Sequence, residues 1–360
     1  MKSRAPHLLL ALSGHGYGHL AQCAPVINVL RQQLPEMTLT VCGSLPCEVV
    51  ASRIDGEFDC RRAELDPTLQ MLNAWEVDVP ASWRVYREFH HNWAQGFQDD
   101  LDLLGQVCPD LVLADVPYRI LSAAAERGIP SVGLCSLNWA AIYAAYCENS
   151  HEDRRVLEQI TNSYRAAGLF ITPAPAIPMP ELDNVVSIGP IARQGCRQRT
   201  VLLEGCAAER QVRAVLVALG GIATALPLDN WPYIEGVVWI FTDPVQSPRN
   251  DMFDLIALEM RFIDVLASAD AVLTKPGYGT YAEAVCNGVP VLSIERRDWP
   301  ETIWLNSWVQ QHGYLEVMTR EQFLGGRFAP LVNALLEKPA RPAIEPDGVR
   351  QAVEHIHSLL

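Results

Sequence analysis

Two short glycine-rich loops carry most of the chemistry written into this sequence. The first, Ser13-Gly14-His15-Gly16-Tyr17-Gly18-His19, lies between the apolar run His7–Ser13 and a helical stretch over His19–Leu34. Glycines at a strand–helix junction let the backbone turn sharply and approach a ligand, while the helix behind them presents unbonded N–H groups. An imidazole can take a proton from a hydroxyl near neutral pH, so His15 and His19, four residues apart, are candidate bases, His19 foremost. The competing role for either is that of a helix-start residue. A zinc site needs a third ligand and none lies nearby in sequence, so no metal ligand is assigned. A dinucleotide fingerprint fits poorly. Its third glycine is replaced by His19, and the second strand ends in Cys42-Gly43-Ser44, with no acid to hold a ribose diol.

The second loop, Thr274-Lys275-Pro276-Gly277-Tyr278-Gly279-Thr280, again joins a strand to a helix. Amides around Gly279 and Thr280 at a helix N-terminus suit a diphosphate, and Glu283 follows one turn later, where a carboxylate can accept from both hydroxyls of a ribose. The alternative is a glycine turn with a capping Thr280 and a solvated Glu283. No G-x-x-x-x-G-K-[ST] run occurs, so an NTP-hydrolysing P-loop is excluded. Asp115 closes the run Leu111–Ala114, at the end of a strand where doubly wound sheets place ligands. It is a candidate to orient a histidine or meet an acceptor, or else to cap the helix after Pro117. Trp139, at the next strand end, offers a ring to stack on a sugar face.

Both loops need strands to carry them, and the apolar pattern supplies these. Strands over His7–Ser13, Thr38–Cys42, Leu111–Ala114, Ser131–Cys135 and Leu169–Thr172 alternate with helices, which implies parallel pairing in a doubly wound sheet. One long helix over Ser82–Val107 carries Trp83, Tyr86, Phe89, Trp93 and Phe97 as a packing stripe; His90 and His91 are given no role. After the proline-rich Pro173–Pro180 and the segment Gly189–Gly205, the pattern restarts. Ala214–Leu219 ends in Gly220-Gly221, followed by strands Val237–Phe241, Ala271–Leu273 and Val291–Ile294. The layout predicts two Rossmann-like α/β domains, 1–190 and 191–340, and a last helix within 341–360 packing back on the first. The length of 360 residues suits two cores.

Composition narrows the class. Apolar residues at 49% and charged ones at 19% describe a globular enzyme, and a net charge of −14 argues against a nucleic-acid partner. No apolar run reaches the ~18–20 residues that span a bilayer, and the start reads as a strand, not a signal peptide. A cytoplasmic protein is expected, with peripheral membrane contact left open. Ten cysteines without a C-x-x-C pair, several of them in apolar segments (Cys42, Cys135, Cys286), are expected to be reduced core residues.

The segments Phe262-Ile263-Asp264, Ala269-Asp270-Ala271, Lys275 to Ala284 and Asn287-Gly288-Val289-Pro290-Val291 resemble the donor-binding half of GT-B glycosyltransferases, among them the bacterial N-acetylglucosaminyltransferases that make lipid II. The Gly14–His19 loop and Gly220-Gly221 resemble that family's two other glycine loops. Gly-His-Gly-Tyr-Gly-His with Lys-Pro-Gly-Tyr-Gly-Thr is also similar to the glycosyltransferase-like domain ahead of the kinase in plant arabinokinases; a free-standing member is expected, because 360 residues leave no room for the kinase.

The resemblance implies an α/β fold with two Rossmann-like domains facing across a cleft. It also implies transfer of a sugar from a nucleotide diphosphate donor, UDP foremost, to an acceptor hydroxyl, small-molecule or lipid-linked, without metal or other cofactor. By the same resemblance Phe262 and Ile263 meet the base, Gly277, Tyr278, Gly279 and Thr280 hold the diphosphate, and Gly16 and Gly18 approach from the other domain, with Lys275, Gly220 and Gly221 also expected to bind the donor. Glu283 holds the ribose, Asp298 and Glu301 meet the donor sugar, and His19 falls at the base position; His15 and Asp115 stay catalytic candidates on the residue reading alone. Arg296-Arg297 departs from the family pattern; paired arginines can hold an anionic sugar or phosphate, or line a solvated loop. The second domain is short between Gly221 and Val237. Three readings stand: a transferase, a nucleotide-sugar 2-epimerase or hydrolase on the same fold, and a non-catalytic nucleotide-sugar binder.

Overall fold

The computed structural model describes residues 4–360 except 17, 74, 75, 149, 221–225, 246 and 248. The chain divides into two compact units, one of Met1–Leu72, Val77–Ile191 and Asp347–Leu360, the other of Asn73–Glu76 and Ala192–Pro346.

In the first unit come β1 (His7–Leu12), β2 (Thr38–Gly43) and β3 (Asp59–Arg62); two short strands outside the main sheets follow in the chain, β4 (Met71–Asn73) and β5 (Glu76–Val77), of which Asn73 and Glu76 are assigned to the second unit. Then come β6 (Leu111–Asp115), β7 (Ser131–Leu134), β8 (Leu169–Pro173) and β9 (Val185–Ile188). Leu8-Leu9-Leu10 and Leu111-Val112-Leu113 are apolar at every position, the pattern of strands covered on both faces, and all six side chains are buried. The sheet order is β3-β2-β1-β6-β7-β8-β9 with every pair parallel. The order runs outward from β1 to one edge and from β6 to the other. Its reversal between β1 and β6 is the switch point, where doubly wound sheets bind ligands.

The second unit repeats this plan. Its strands are β10 (Arg213–Ala218), β11 (Val237–Phe241), β12 (Met252–Asp254), β13 (Ala271–Thr274), β14 (Val291–Ile294) and β15 (Leu315–Met318), in the parallel order β12-β11-β10-β13-β14-β15. The reversal lies between β10 and β13. The C-terminal helix Gly348–His357 packs on helix Gly18–Gln33, both in the first unit, and adds Ala352, Val353 and Ile356 to its core.

Three expectations change. Where the aromatic stripe predicts one helix over Ser82–Val107, the structure has two, Val79–His91 and Trp93–Val107, broken at Asn92, whose ψ of 17° leaves the helical well. Asparagine competes for backbone hydrogen bonds with its own side chain, so a break there is physically reasonable. His90 is a core residue in this unit. Its ring clusters with those of Trp93 and Tyr118, bonds Gln159 and Tyr118, and has its pKa held down by burial at about 4.

The thiols are not all reduced: Cys47 and Cys60 form a disulfide that ties helix Cys47–Ala51 to the edge strand β3, leaving eight free cysteines. The bond closes an interval of 13 residues. By loop-closure entropy, its reduction is expected to cost roughly 3 kcal/mol of stability. A urea midpoint that does not fall when reductant is added, or in Cys47→Ser, would contradict this.

Candidate functional site

Each unit places one of the two glycine loops at its own switch point. In the first unit the chain leaves β1 through Ser13 and reaches Gly16 at φ +80°, a region that side-chain-bearing residues rarely adopt. Helix Gly18–Gln33 begins at once, with His19 buried in its first turn. Across the switch point, Asp115 is the last residue of β6 and is fully buried. The two meet: His19 Nδ1 lies 2.9 Å from Asp115 Oδ1. The second carboxylate oxygen accepts from the Cys23 thiol at 3.3 Å, and Cys135 Sγ lies 3.8 Å from His19 Nδ1. A carboxylate at Nδ1 fixes the tautomer, leaves the ring's lone pair on Nε2, and steadies the imidazolium that forms when Nε2 takes a proton.

His15 joins this group. Its ring centroid is 6.4 Å from that of His19 and 5.5 Å from that of Trp139, which it meets edge-on. Trp139 is fully buried, so it has no open face for a sugar, contrary to the role its position suggests. Its indole N–H instead donates to Asp66 at 2.6 Å. Asp66 also accepts from the Ser13 hydroxyl, and thereby ties the glycine loop to Trp139. Burial lifts the Asp66 carboxyl above the usual range, against the opposing hydrogen bonds from Ser13 and Trp139 and the nearby His19. No motif marks Asp66 in the sequence; it stands alone between Leu65 and Pro67.

In the second unit, Gly220 follows β10 at φ +85° and lies against the end of the Lys275 side chain, which follows β13. Those two residues bracket the switch point. Gly277 precedes helix Tyr278–Cys286, and the space where Gly279 would carry a Cβ is open to at least 4 Å. The helix is nine residues long, and the first-turn amides of a helix lack intrahelical partners and suit an anion. Burial draws the Lys275 pKa from 10.5 to about 8; Arg296 pushes it the same way and Glu301 opposes.

The remaining residues divide. Glu283 is neither solvated nor held open: its carboxylate accepts from Arg193 Nε at 2.6 Å. Arg296 and Arg297 do not act as a pair. Arg296 is buried with its guanidinium 4.0 Å over the Trp299 ring, whereas Arg297 is exposed and bonded to Glu295. Asp298 is half-exposed against Arg320, while Glu301 is buried and accepts from the Trp299 indole. Phe262 and Ile263 open helix Phe262–Ser268, and the Ile263 carbonyl is covered by Gly195. Gly221 lies outside the described residues.

This fold is that of the two-domain GT-B glycosyltransferases. The glycosyltransferase of kitacinnamycin matches at a TM-score of 0.67 with 15% identity, over 99% of this chain and 100% of that one. A UDP-glucosyltransferase from Polygonum tinctorium matches at 0.62 with 14% identity, over 100% and 94%. Among curated proteins, the chain is similar to L-arabinokinase of Arabidopsis thaliana, 26% identical over 349 residues, 94% of this chain. It spans about a third (33%) of that relative's length. No family model matches. Among the described residues, no helix is long and apolar enough to cross a membrane.

Proposed function

We propose that this chain transfers a sugar from a nucleotide diphosphate donor, a UDP-sugar foremost, to the hydroxyl of a small acceptor, without a metal. The observation that carries the proposal is the buried His19–Asp115 pair at the first switch point. His19 Nε2 takes the proton of the acceptor hydroxyl as its oxygen attacks the anomeric carbon, and Asp115 steadies the imidazolium. The departing diphosphate is met by the amides at the start of helix Tyr278–Cys286 and by Lys275. The Polygonum enzyme glucosylates indoxyl, which supports a small acceptor over a lipid-linked one. The cytoplasm is the proposed location, with the Cys47–Cys60 bond the exception to its reduced thiols. A thermal-shift screen against nucleotide diphosphates tests the donor half: a ligand at 100 times its Kd stabilises by about 2.7 kcal/mol. No shift with any nucleotide diphosphate would sink it.

Lys275 gives the proposal a pH signature. Its folded pKa, about 8, lies below the ordinary 10.5, so between these values the folded chain holds fewer protons than the unfolded one. Stability without donor therefore rises across that window. A bound diphosphate restores the ammonium, so binding takes up a proton and weakens as pH climbs past about 8. In Lys275→Met the loss of a charge-assisted hydrogen bond, about 1.5–3 kcal/mol, weakens UDP roughly 10–100-fold. Calorimetry in buffers of different ionisation heat reads the uptake; a pH-independent affinity between pH 7 and 9.5 would contradict it.

A further inference from the structure

We infer that the His19–Asp115 pair doubles as a binding site for a thiophilic divalent cation, Zn²⁺ or Cd²⁺, and that this cation silences the base. Among the described residues, the ligand atoms of His19, Asp115 and Cys135 lie within 4.8 Å of one another, and all three side chains are buried. Donor atoms at 2.0–2.3 Å around a tetrahedral zinc stand about 3.3–3.7 Å apart. The separations here are 2.9 Å for Nδ1 to Asp115 Oδ1 and 3.8 Å for Nδ1 to Cys135 Sγ. Adjustments of about half an ångström bring these two pairs to coordinating separation, and the third pair lies within 4.8 Å.

The donors sit on rigid elements. His19 lies in the first turn of helix Gly18–Gln33, Asp115 ends β6, and Cys135 directly follows the neighbouring strand β7. Imidazole, carboxylate and thiolate together favour zinc or cadmium over magnesium or calcium. With Cys135 as thiolate and Asp115 ionised, a divalent cation makes a neutral complex, which suits a buried site. In sequence the set is invisible, because Asp115 and Cys135 lie 96 and 116 residues from His19.

The protons balance as follows. The cation takes the lone pair at Nδ1, so the ring's single proton moves to Nε2, and the Cys135 thiol releases one proton to solvent. Nε2 then donates and cannot accept the proton of a hydroxyl. Inhibition rests on the proposed transfer reaction; metal binding does not.

The test uses the full chain and Cd²⁺ as probe, followed by thiolate-to-cadmium charge-transfer absorption, with Zn²⁺ for inhibition and Mg²⁺ as control. Cys135→Ser and Cys135→Ala should each lose one saturable component of the absorption. Each should also raise the Zn²⁺ needed to halve transfer by at least about tenfold, since even outer partners of a metal site are worth 10–100-fold. Absorption unchanged in both variants overturns the site, whatever the transfer assay shows. Zinc inhibition equally strong in both variants, with the absorption component lost, overturns the silencing.

Discussion

His19→Ala is expected to lower kcat for sugar transfer by about 10²–10⁴, the usual contribution of a positioned base. Binding of the nucleotide diphosphate should stay near normal, because the cradle proposed for it, Gly277–Thr280, belongs to a different strand–helix junction. The change leaves the buried Asp115 carboxylate accepting from the Cys23 thiol without its histidine, which costs stability as well as a base. Asp115→Asn, alone and combined with His19→Ala, separates the causes. A base and its orienting carboxylate act as a unit, so the double variant should be scarcely slower than His19→Ala alone. Losses that multiply would show that the two residues work independently and remove the dyad from the account.

The second large effect is on stability. Arg119→Ala is expected to lower the unfolding free energy by about 3–5 kcal/mol, the cost of stranding one member of a buried ion pair. Arg119 donates through Nε and Nη2 to Asp100 at 2.7 and 3.2 Å, both side chains are nearly inaccessible, and the guanidinium lies 4.4 Å over the Phe89 ring. The pair joins helix Trp93–Val107 to helix Arg119–Glu126 behind β6, the strand that ends in Asp115. Burial lifts the Asp100 carboxyl above its ordinary range even with the arginine in place, so desolvation is already felt there. Removing both charges in Asp100→Asn/Arg119→Met should recover much of the loss. A urea unfolding curve for Arg119→Ala within about 1 kcal/mol of the parent would show that the pair carries little net weight.

How much of this is legible in the sequence follows from burial. The central strands β1, β6, β10, β13 and β14 are continuous apolar runs and stand out as such. Six of the described strands are missed by the apolar pattern: β4 and β5 are very short, and β3, β9, β12 and β15 are the outer strands of the two main sheets. An edge strand is covered on fewer sides and tolerates polar residues, as in Asp59-Cys60-Arg61-Arg62, so its periodicity is weak.

The site shows the same division. Asp115 is recognisable because it ends the strong central strand β6, and His19 because it follows the glycine loop after β1, although nothing in sequence says that they touch. Asp66, Cys23 and Cys135 reach the same spot from a connecting loop, a helix turn and a neighbouring strand, and no local pattern marks them. Arg193 is hidden for a similar reason: it lies 90 positions from the glutamate it engages. The paired look of Arg296 and Arg297 misleads because adjacent residues in a loop point apart, one onto Trp299 and the other to Glu295.

The central claim is that a nucleotide-sugar is consumed by transfer to a hydroxyl. Its most direct test is a product balance: the full chain is incubated with a panel of UDP-sugars, with and without small hydroxylated acceptors, and all products are quantified by mass spectrometry. The account predicts one glycoside formed for each UDP released, release that depends on the acceptor, and loss of both in His19→Ala. Release of UDP with free or epimerised sugar, at a rate indifferent to acceptor, would contradict it and favour a hydrolase or epimerase on the same fold.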